Sequence, residues 1–452
     1  MLRRPLALAL ALVLLPAAAQ ADDLLQTYHN ARNSDPQFAA AESNRAIAAE
    51  RPVQARAALL PQVGGSVNYN LANRGDTDGD GQSDGTTRSA NWGLSAQQSI
   101  FDWGNYTALR AAKATDRAGG FDLEAAGHNL ITRTSAAYFD VLVQLETLAA
   151  AEAAEAALKK QFDFADKRLE VGLAPITDVH EARAQYDGAR ANTIVQRNAL
   201  QDAYQALAEI TGTPVRNLRA LPEDFQPEAP EGDGLGRWLA TAMENNPSLR
   251  AAEYALSASE HSVNTARAGH LPRLTLGAGY DNGAAWGDLG PGGVGGTSTG
   301  EGSSVGLTLT VPIFAGGATQ SQVRQALSRR DISQQQLEQS RRALDRNTRN
   351  AYQTVVAGVA EIEARRQALV SARSAYEASQ VGLEVGTRTV VDVLINQQNL
   401  FNAEQQYALA RYNFLQNRLL LSQAVGGLDV AELQDINRLL TQDAGNPATT
   451  TN

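Results

Sequence analysis

Two hydrophobic rhythms run along this chain, and each of them occurs twice. The first has a period of two. Val63, Val67, Tyr69 and Leu71 fall on one side and Gly64, Ser66, Asn68 and Asn70 on the other. Ala90, Trp92, Leu94, Ala96 and Ile100 likewise oppose Ser89, Asn91, Gly93, Ser95 and Gln97. The alternation returns with Leu274, Leu276, Ala278 and Tyr280 against Thr275, Gly277, Gly279 and Asp281. It returns again with Val305, Leu307, Leu309, Val311 and Ile313 against Gly306, Thr308 and Thr310. Strict alternation predicts four strands, at about 62–72, 88–101, 273–281 and 304–314, each with one apolar and one small or polar face.

The second rhythm is helical. Residues 22–57 read as helix, with Asp35-Pro36 supplying a cap and a proline at the first helical position. Asn105–Val171 and Gly317–Val385 run without proline and are rich in Ala, Gln, Glu and Arg. Helices of that length would each extend roughly 100 Å. Returning helices are predicted over Ile176–Thr211 and Thr389–Val425, and a short one over Trp238–Asn245. In the second return, Val393, Leu400, Tyr407, Phe414 and Leu421 repeat every seven residues beside Leu394, Phe401, Ala408 and Leu415. Gln397, Glu404, Arg411 and Arg418 are expected on a polar back. This is the pattern of antiparallel coiled-coil hairpins.

The doubling extends to residue identity. Leu169-Glu170-Val171-Gly172, with Asp178-Val179 beyond it, recurs as Leu383-Glu384-Val385-Gly386 with Asp392-Val393, at an offset of 214. Ala137-Tyr138 falls on Ala351-Tyr352, Arg197 on Arg411 and Gly212 on Gly426. An offset of 211 aligns the upstream parts, such as Pro36 with Pro247 and Leu60-Pro61 with Leu271-Pro272. The expected layout is a first repeat over 22–217, a Pro-, Glu- and Gly-rich linker over 218–236 and a second repeat over 237–428. A polar tail over 429–452 follows, its last ten residues expected to be disordered.

Composition narrows the setting. Arg3 and Arg4, the apolar run Leu6–Leu15 and Ala19-Gln20-Ala21 predict a cleaved export signal over 1–21. No later segment is apolar for long enough to be a membrane helix. A soluble periplasmic protein, a secreted one and a β-barrel all remain open. The chain has no cysteine, which excludes disulfides and thiolate metal sites, and its formal charge of −10 argues against a nucleic-acid partner. His29, His128, His180, His261 and His270 are scattered, with no H-E-x-x-H, G-x-S-x-G or Walker lysine. Neither an enzyme nor a cofactor is expected. Asp76, Asp78, Asp80, Gly81 and Asp84 match the first part of a calcium loop, but Thr87 stands where a bidentate Glu belongs. A solvated acidic loop is the favoured reading there.

Strands of this length and alternation suit a transmembrane β-barrel, with Tyr69, Trp92, Phe101, Trp103, Tyr280 and Phe314 placed for an interfacial girdle. Two half-buried hairpins on a soluble core would alternate in the same way. Four strands cannot close a spanning barrel, so several copies must combine. Two copies would give eight strands and three would give twelve, and the pattern does not choose. A coiled-coil scaffold without a channel is the alternative function. It explains the helices but not the strands.

The sequence resembles the TolC family of outer-membrane efflux and type I secretion channels over nearly the whole chain beyond the signal. The most specific stretches are R-L-E-V-G-L-A-P-I-T-D-V-H-E-A-R-A-Q-Y-D (168–187) and L-E-V-G-T-R-T-V-V-D-V-L (383–394). A-R-Y-N-F-L (410–415), Q-S-I-F ending at Phe101 and P-I-F-A-G-G around Phe314 add to them. The resemblance implies an α+β membrane protein and a homotrimer. Twelve strands would form one barrel in outer-membrane lipid, continuous with a twelve-helix α-barrel in the periplasm. It implies a passive exit duct that docks through a periplasmic adaptor (membrane fusion) protein onto an inner-membrane RND or ABC transporter. The tip turns Val171, Gly172, Leu173, Val385, Gly386 and Thr387 would meet the adaptor. Thr177, Asp178, Leu383 and Arg388 would form the resting gate, and Asp392 a constriction. Two positions depart from the family pattern. Leu383 replaces a gate tyrosine, and Ile395 replaces the second of two constriction aspartates, so weaker cation selectivity is expected.

Overall fold

The computed structural model describes residues 23–74, 85–173, 175–222, 224–230, 234–288 and 295–444. The expected signal, the acidic loop with Asp76, Asp78, Asp80 and Asp84, and most of the glycine run 290–296 lie outside the described residues. The element order is α1 (Leu24–Ser34), α2 (Pro36–Ala57), β1 (Gln62–Arg74), β2 (Gly85–Phe101), α3 (Trp103–Glu170), α4 (Ile176–Thr211) and β3 (Arg219–Ala220). There follow α5 (Leu235–Asn245), α6 (Pro247–Arg267), β4 (Arg273–Asp288), β5 (Gly295–Thr310), α7 (Ala318–Glu384), α8 (Val390–Ala424), α9 (Val430–Leu439) and β6 (Gln442–Asp443). Two compact units result. One contains Ser43–Leu123 and Ser248–Ser340, and the other contains the chain up to Glu42, Glu124–Pro247 and everything from Arg341 on.

In the first of these units β1, β2, β4 and β5 form one antiparallel sheet in the order β1-β2-β4-β5. Its register sorts the side chains by polarity. Val63, Ala96, Ala278 and Val305 form one cross-strand row, and Ser66, Gly93, Asp281 and Gly302 form a row on the opposite face. Directly paired residues share a face, but the apolar face is not uniform, since Val67, Trp92, Asn282 and Glu301 form one mixed row. The apolar face is uncovered, with Val67 84% and Val305 80% exposed. On it the Trp92 and Tyr280 rings lie 5.4 Å apart near mid-strand, and the Tyr69 and Trp286 rings lie 6.2 Å apart nearer the hairpin ends. Phe101 and Trp103 mark the other end. β1 and β5 are paired on one side only, leaving 13-residue and 16-residue edges open.

The sheet departs from the expected strands in several places, the largest being that β4 runs on to Asp288 and β5 begins at Gly295, not at 281 and 304. A bulge between Ser99 and Phe101 puts Phe101, not Ile100, opposite Leu274. The fourth strand ends at Thr310 and not at 314, because Pro312 has no N–H to donate. Val311, Ile313 and Phe314 stay exposed beyond the ladder.

The other unit is built from helix hairpins. Ala165 of α3 packs with Val179 and Ala182 of α4, flanked by Phe162 and Leu169, and Phe162 stacks on Tyr186. The α8 stripe Val393, Leu400, Tyr407, Phe414 and Leu421 is buried as its heptad spacing predicts. The polar back is a correction. Gln397 is 8% and Arg411 4% exposed, so this helix is covered on both sides. Arg411 tolerates burial because its Nη2 meets Glu146 Oε2 of α3 at 2.6 Å and its Nη1 donates to the Pro222 carbonyl at 3.2 Å. The guanidinium also lies over the Tyr407 ring, 4.7 Å from its centroid. Tyr412 donates to the second oxygen of Glu146 at 2.9 Å.

The same node fixes the linker, which is no loose tether. Val215, Leu218, Leu221 and Phe225 are buried. β3 pairs with β6, so Asp443 is ordered against the linker despite the disorder expected of the last ten residues. The polar tail contains α9, capped by Asp429, with Leu433 and Ile436 in the core. Residues 22–57 form two helices, not one. The Asp35 side chain accepts from Phe38 N at 2.7 Å and restarts the helix as α2. The duplication is visible in packing too. Gly212 and Gly426 take φ of +70° and +74° just past α4 and α8. An added Cβ would lie 2.7 Å from Ser34 Cβ in one repeat and 2.4 Å from the Asn245 carbonyl oxygen in the other.

Tyr138 donates its hydroxyl to the Arg219 carbonyl at 3.0 Å and accepts from Arg219 N at 2.8 Å. Tyr138→Phe leaves both part-buried linker groups without that partner. A loss of about 1–2 kcal/mol is expected, read as a lower urea midpoint with an unchanged m-value.

Candidate functional site: the two helix-hairpin tips

Both hairpins turn by the same device. At the first, Gly172 N bonds to the Leu169 carbonyl at 2.9 Å and Leu173 N to the Arg168 carbonyl at 2.8 Å. At the second, Gly386 N bonds to Leu383 O at 3.2 Å and Thr387 N to Gly382 O at 2.8 Å. These paired bonds are Schellman closures, which need a left-handed residue after the helix. Gly172 and Gly386 supply it, at φ +75° and +77°. The closures leave Val171, Leu173 and Val385 each 67% exposed at the apex. Their exposure follows from the turn, since the two helices below cannot reach over it.

The flanks of the turns differ. Arg168 sits on α3 and donates back to the Leu173 carbonyl at 3.3 Å. Its repeat counterpart is Gly382, and the arginine of the second tip is Arg388, on the far side of the turn. A Cβ on residue 382 would lie 2.6 Å from Arg388 Cγ, so the stem of Arg388 lies on the bare Gly382 backbone. Gly382→Ala would displace that stem. The gain in helix propensity is expected to keep the hairpin as stable as before, read as an unchanged urea midpoint.

The start of the returning helix differs as well. Thr389 and Asp392 form a capping box. Asp392 Oδ2 accepts from Thr389 N at 2.9 Å and from Thr389 Oγ1 at 2.8 Å, while Asp392 N donates to Thr389 Oγ1 at 3.2 Å. These bonds, backbone first, hold the Asp392 carboxyl below the usual carboxylate range, and the nearby Arg388 charge adds to the effect. In the first repeat Pro175 occupies the position of Thr389 and makes no side-chain cap bond. The only hydrogen bond to the Asp178 side chain among the described residues is a long one from Thr177 Oγ1, at 3.5 Å.

The structure therefore places Thr177 and Asp178 just past one turn, and Leu383, Arg388 and Asp392 around the other. Within this single chain, and among the described residues, Asp178 and Arg388 form no ion pair. Their side chains are available to a neighbouring hairpin. The capping role of Asp392 was readable from Thr389 three residues earlier. The packing of the Arg388 stem on Gly382 had no signal in the sequence, because it needs the path of the turn. No cluster of His, Asp and Glu able to hold a metal occurs among the described residues.

Residues 27–213 and 238–427 each match the family described as outer membrane efflux protein. The chain is 34% identical over 445 residues to the outer membrane protein TolC of Escherichia coli (strain K12), covering 97% of this chain and 89% of that protein. It is 29% identical over 433 residues to the alkaline protease secretion protein AprF of Pseudomonas aeruginosa, covering 94% and 88%. The solved outer membrane channel CmeC of Campylobacter jejuni shares the fold at a TM-score of 0.77 and 19% identity, over 93% of this chain and 90% of that one. With the same family found once in each repeat and a full-length relative above 30% identity, this chain belongs to the outer membrane efflux protein family.

Proposed function

We propose that three copies of this chain form a passive outer-membrane exit duct, used for efflux and type I secretion and gated at the helix tips. The observation that carries this reading is the sheet. It has an uncovered apolar face, a Gly, Ser and Asn face, and two open edges. Open edges cost several kcal/mol per unpaired group in lipid, so β5 of one copy must pair with β1 of the next. Three copies give twelve strands around a water-filled lumen. From Leu274 to Trp286 this face, interrupted by Asn282 and its partner Glu301, spans about twelve residues at about 3.3 Å each, which at a tilt near 40° is roughly a hydrocarbon thickness of 30 Å.

The long helices then stand in the periplasm. No helix among the described residues is long and apolar enough to cross a membrane. The exposed apices Val171, Gly172, Leu173, Val385, Gly386 and Thr387 would receive a periplasmic adaptor that links the duct to an RND or ABC transporter in the inner membrane. Asp178 of one hairpin and Arg388 of a neighbouring one would form the charge-assisted link that closes the resting duct. Asp392 would line the constriction behind it. The relatives are channel proteins, and the chain is read as a conduit, not a catalyst. The test is a membrane preparation. The protein should resist salt, need detergent for release, show the mass of three chains, and conduct in a planar bilayer. A salt-released monomer without conductance would remove the duct.

A further inference from the structure

The two repeats put an aspartate at the same place past each turn, yet the structure gives the two carboxylates different work. Asp178 has no cap to serve, because Pro175 carries neither an N–H nor a hydroxyl. Asp392 has one oxygen fully engaged. Its Oδ2 accepts both Thr389 bonds, at 2.9 and 2.8 Å, while Oδ1 accepts no hydrogen bond among the described residues. The return bond from Asp392 N to Thr389 Oγ1 closes the box and fixes the side-chain torsions. The carboxylate is thus held with one oxygen turned to the chain and one left over for the solvent side.

We infer that Thr389 is a positioning residue for ion selectivity, orienting the Asp392 carboxylate so that a single oxygen per copy faces permeating cations. This inference rests on the proposed placement of Asp392 at the constriction. It assigns the cation preference to two residues acting together, and it makes Asp178 the free carboxylate at the gate. The charged group facing Asp392 is Arg388, from the preceding turn. Thr389 and Arg388 both lower the proton affinity of Asp392 within one chain, so the ring should keep its charge to lower pH than it would without the Thr389 bonds.

The experiment is the reversal potential of the trimer in a potassium chloride gradient, taken from neutral to acid pH. Four proteins are compared: wild type, Thr389→Val, Thr389→Ser and Asp392→Asn. Wild type should prefer cations and retain that preference into acid. Thr389→Val should move the loss of preference towards neutral pH and change the permeability ratio at neutral pH, because Asp392 loses both hydroxyl bonds and its carboxylate keeps only the backbone one. Thr389→Ser, which keeps the hydroxyl, should follow wild type. Asp392→Asn should abolish the preference at every pH. If Asp392→Asn abolishes it but Thr389→Val superimposes on wild type, the cap plays no part and the inference fails. If Asp392→Asn leaves the preference intact, Asp392 does not line the constriction, and it is the underlying placement that fails.

Discussion

Arg388→Ala will raise the single-channel conductance and open time of the purified protein in a planar bilayer. Arg388 lies on the turn with its stem on Gly382, and its guanidinium has no ion-pair partner among the described residues of its own chain. In the proposed trimer its partner is Asp178 of a neighbouring hairpin. One such exposed link contributes only about 0.5 kcal/mol. Three related by symmetry break together, so the closed state loses about 1.5 kcal/mol, roughly a tenfold gain in open population. Asp178→Ala should give the same rise, and the double variant should add little to either. A conductance unchanged by both substitutions would leave the duct standing and take this pair out of the gate.

Glu146→Ala should unfold the helical unit more readily than any tip substitution. It strips the buried Arg411 of its 2.6 Å partner and Tyr412 of its 2.9 Å acceptor at once. An unpaired buried charge typically costs 3–5 kcal/mol. Glu146 is itself a third exposed, so water can reach part of the site, and about 3 kcal/mol is expected. The measurement is the urea midpoint of the detergent-solubilised protein. Replacing Glu146 and Arg411 together by methionine should recover most of the loss, since an apolar pair of similar volume carries no desolvation penalty. If the double variant is as unstable as Glu146→Ala, the node matters for its shape and not for its charge. Alkali should weaken the node as well. Burial, and then Glu146, raise the Tyr412 phenol well above its ordinary value near 10. The unfolded chain therefore gives up this proton first, and stability falls as pH rises past that value.

The elements of the fold were legible because both rhythms are local and each is stated twice. The helix–turn–helix spans and the faces of the strands follow from spacing alone. Legibility failed where a long-range partner overrides a local rule. Arg411 sits at a polar position of a heptad, yet it is buried because Glu146, 265 residues away in sequence, neutralises it. The linker reads as Pro- and Gly-rich coil, yet Tyr138, Tyr412 and β6 hold it in place. The bulge before Phe101 leaves no mark in an apolar run. At the tips, both turn glycines and the Thr389–Asp392 box could be read from spacing. The contact of Arg388 with Gly382 could not, because nothing local says that the chain folds back over that residue.

The open edges of β1 and β5 also constrain the order of events during biogenesis. A lone protomer carries two rows of unsatisfied N–H and C=O groups beside an uncovered apolar face. In water that combination is a template for indiscriminate strand addition, and in lipid it is forbidden on energetic grounds. Neither solvent can therefore serve as a resting place for a single chain. In the proposed trimer, ring closure and burial of the sheet in lipid have to be concerted, or a chaperone must shield the edges until the copies have met. The rate at which this protein reaches the membrane should then rise more steeply than linearly with its concentration in the periplasm.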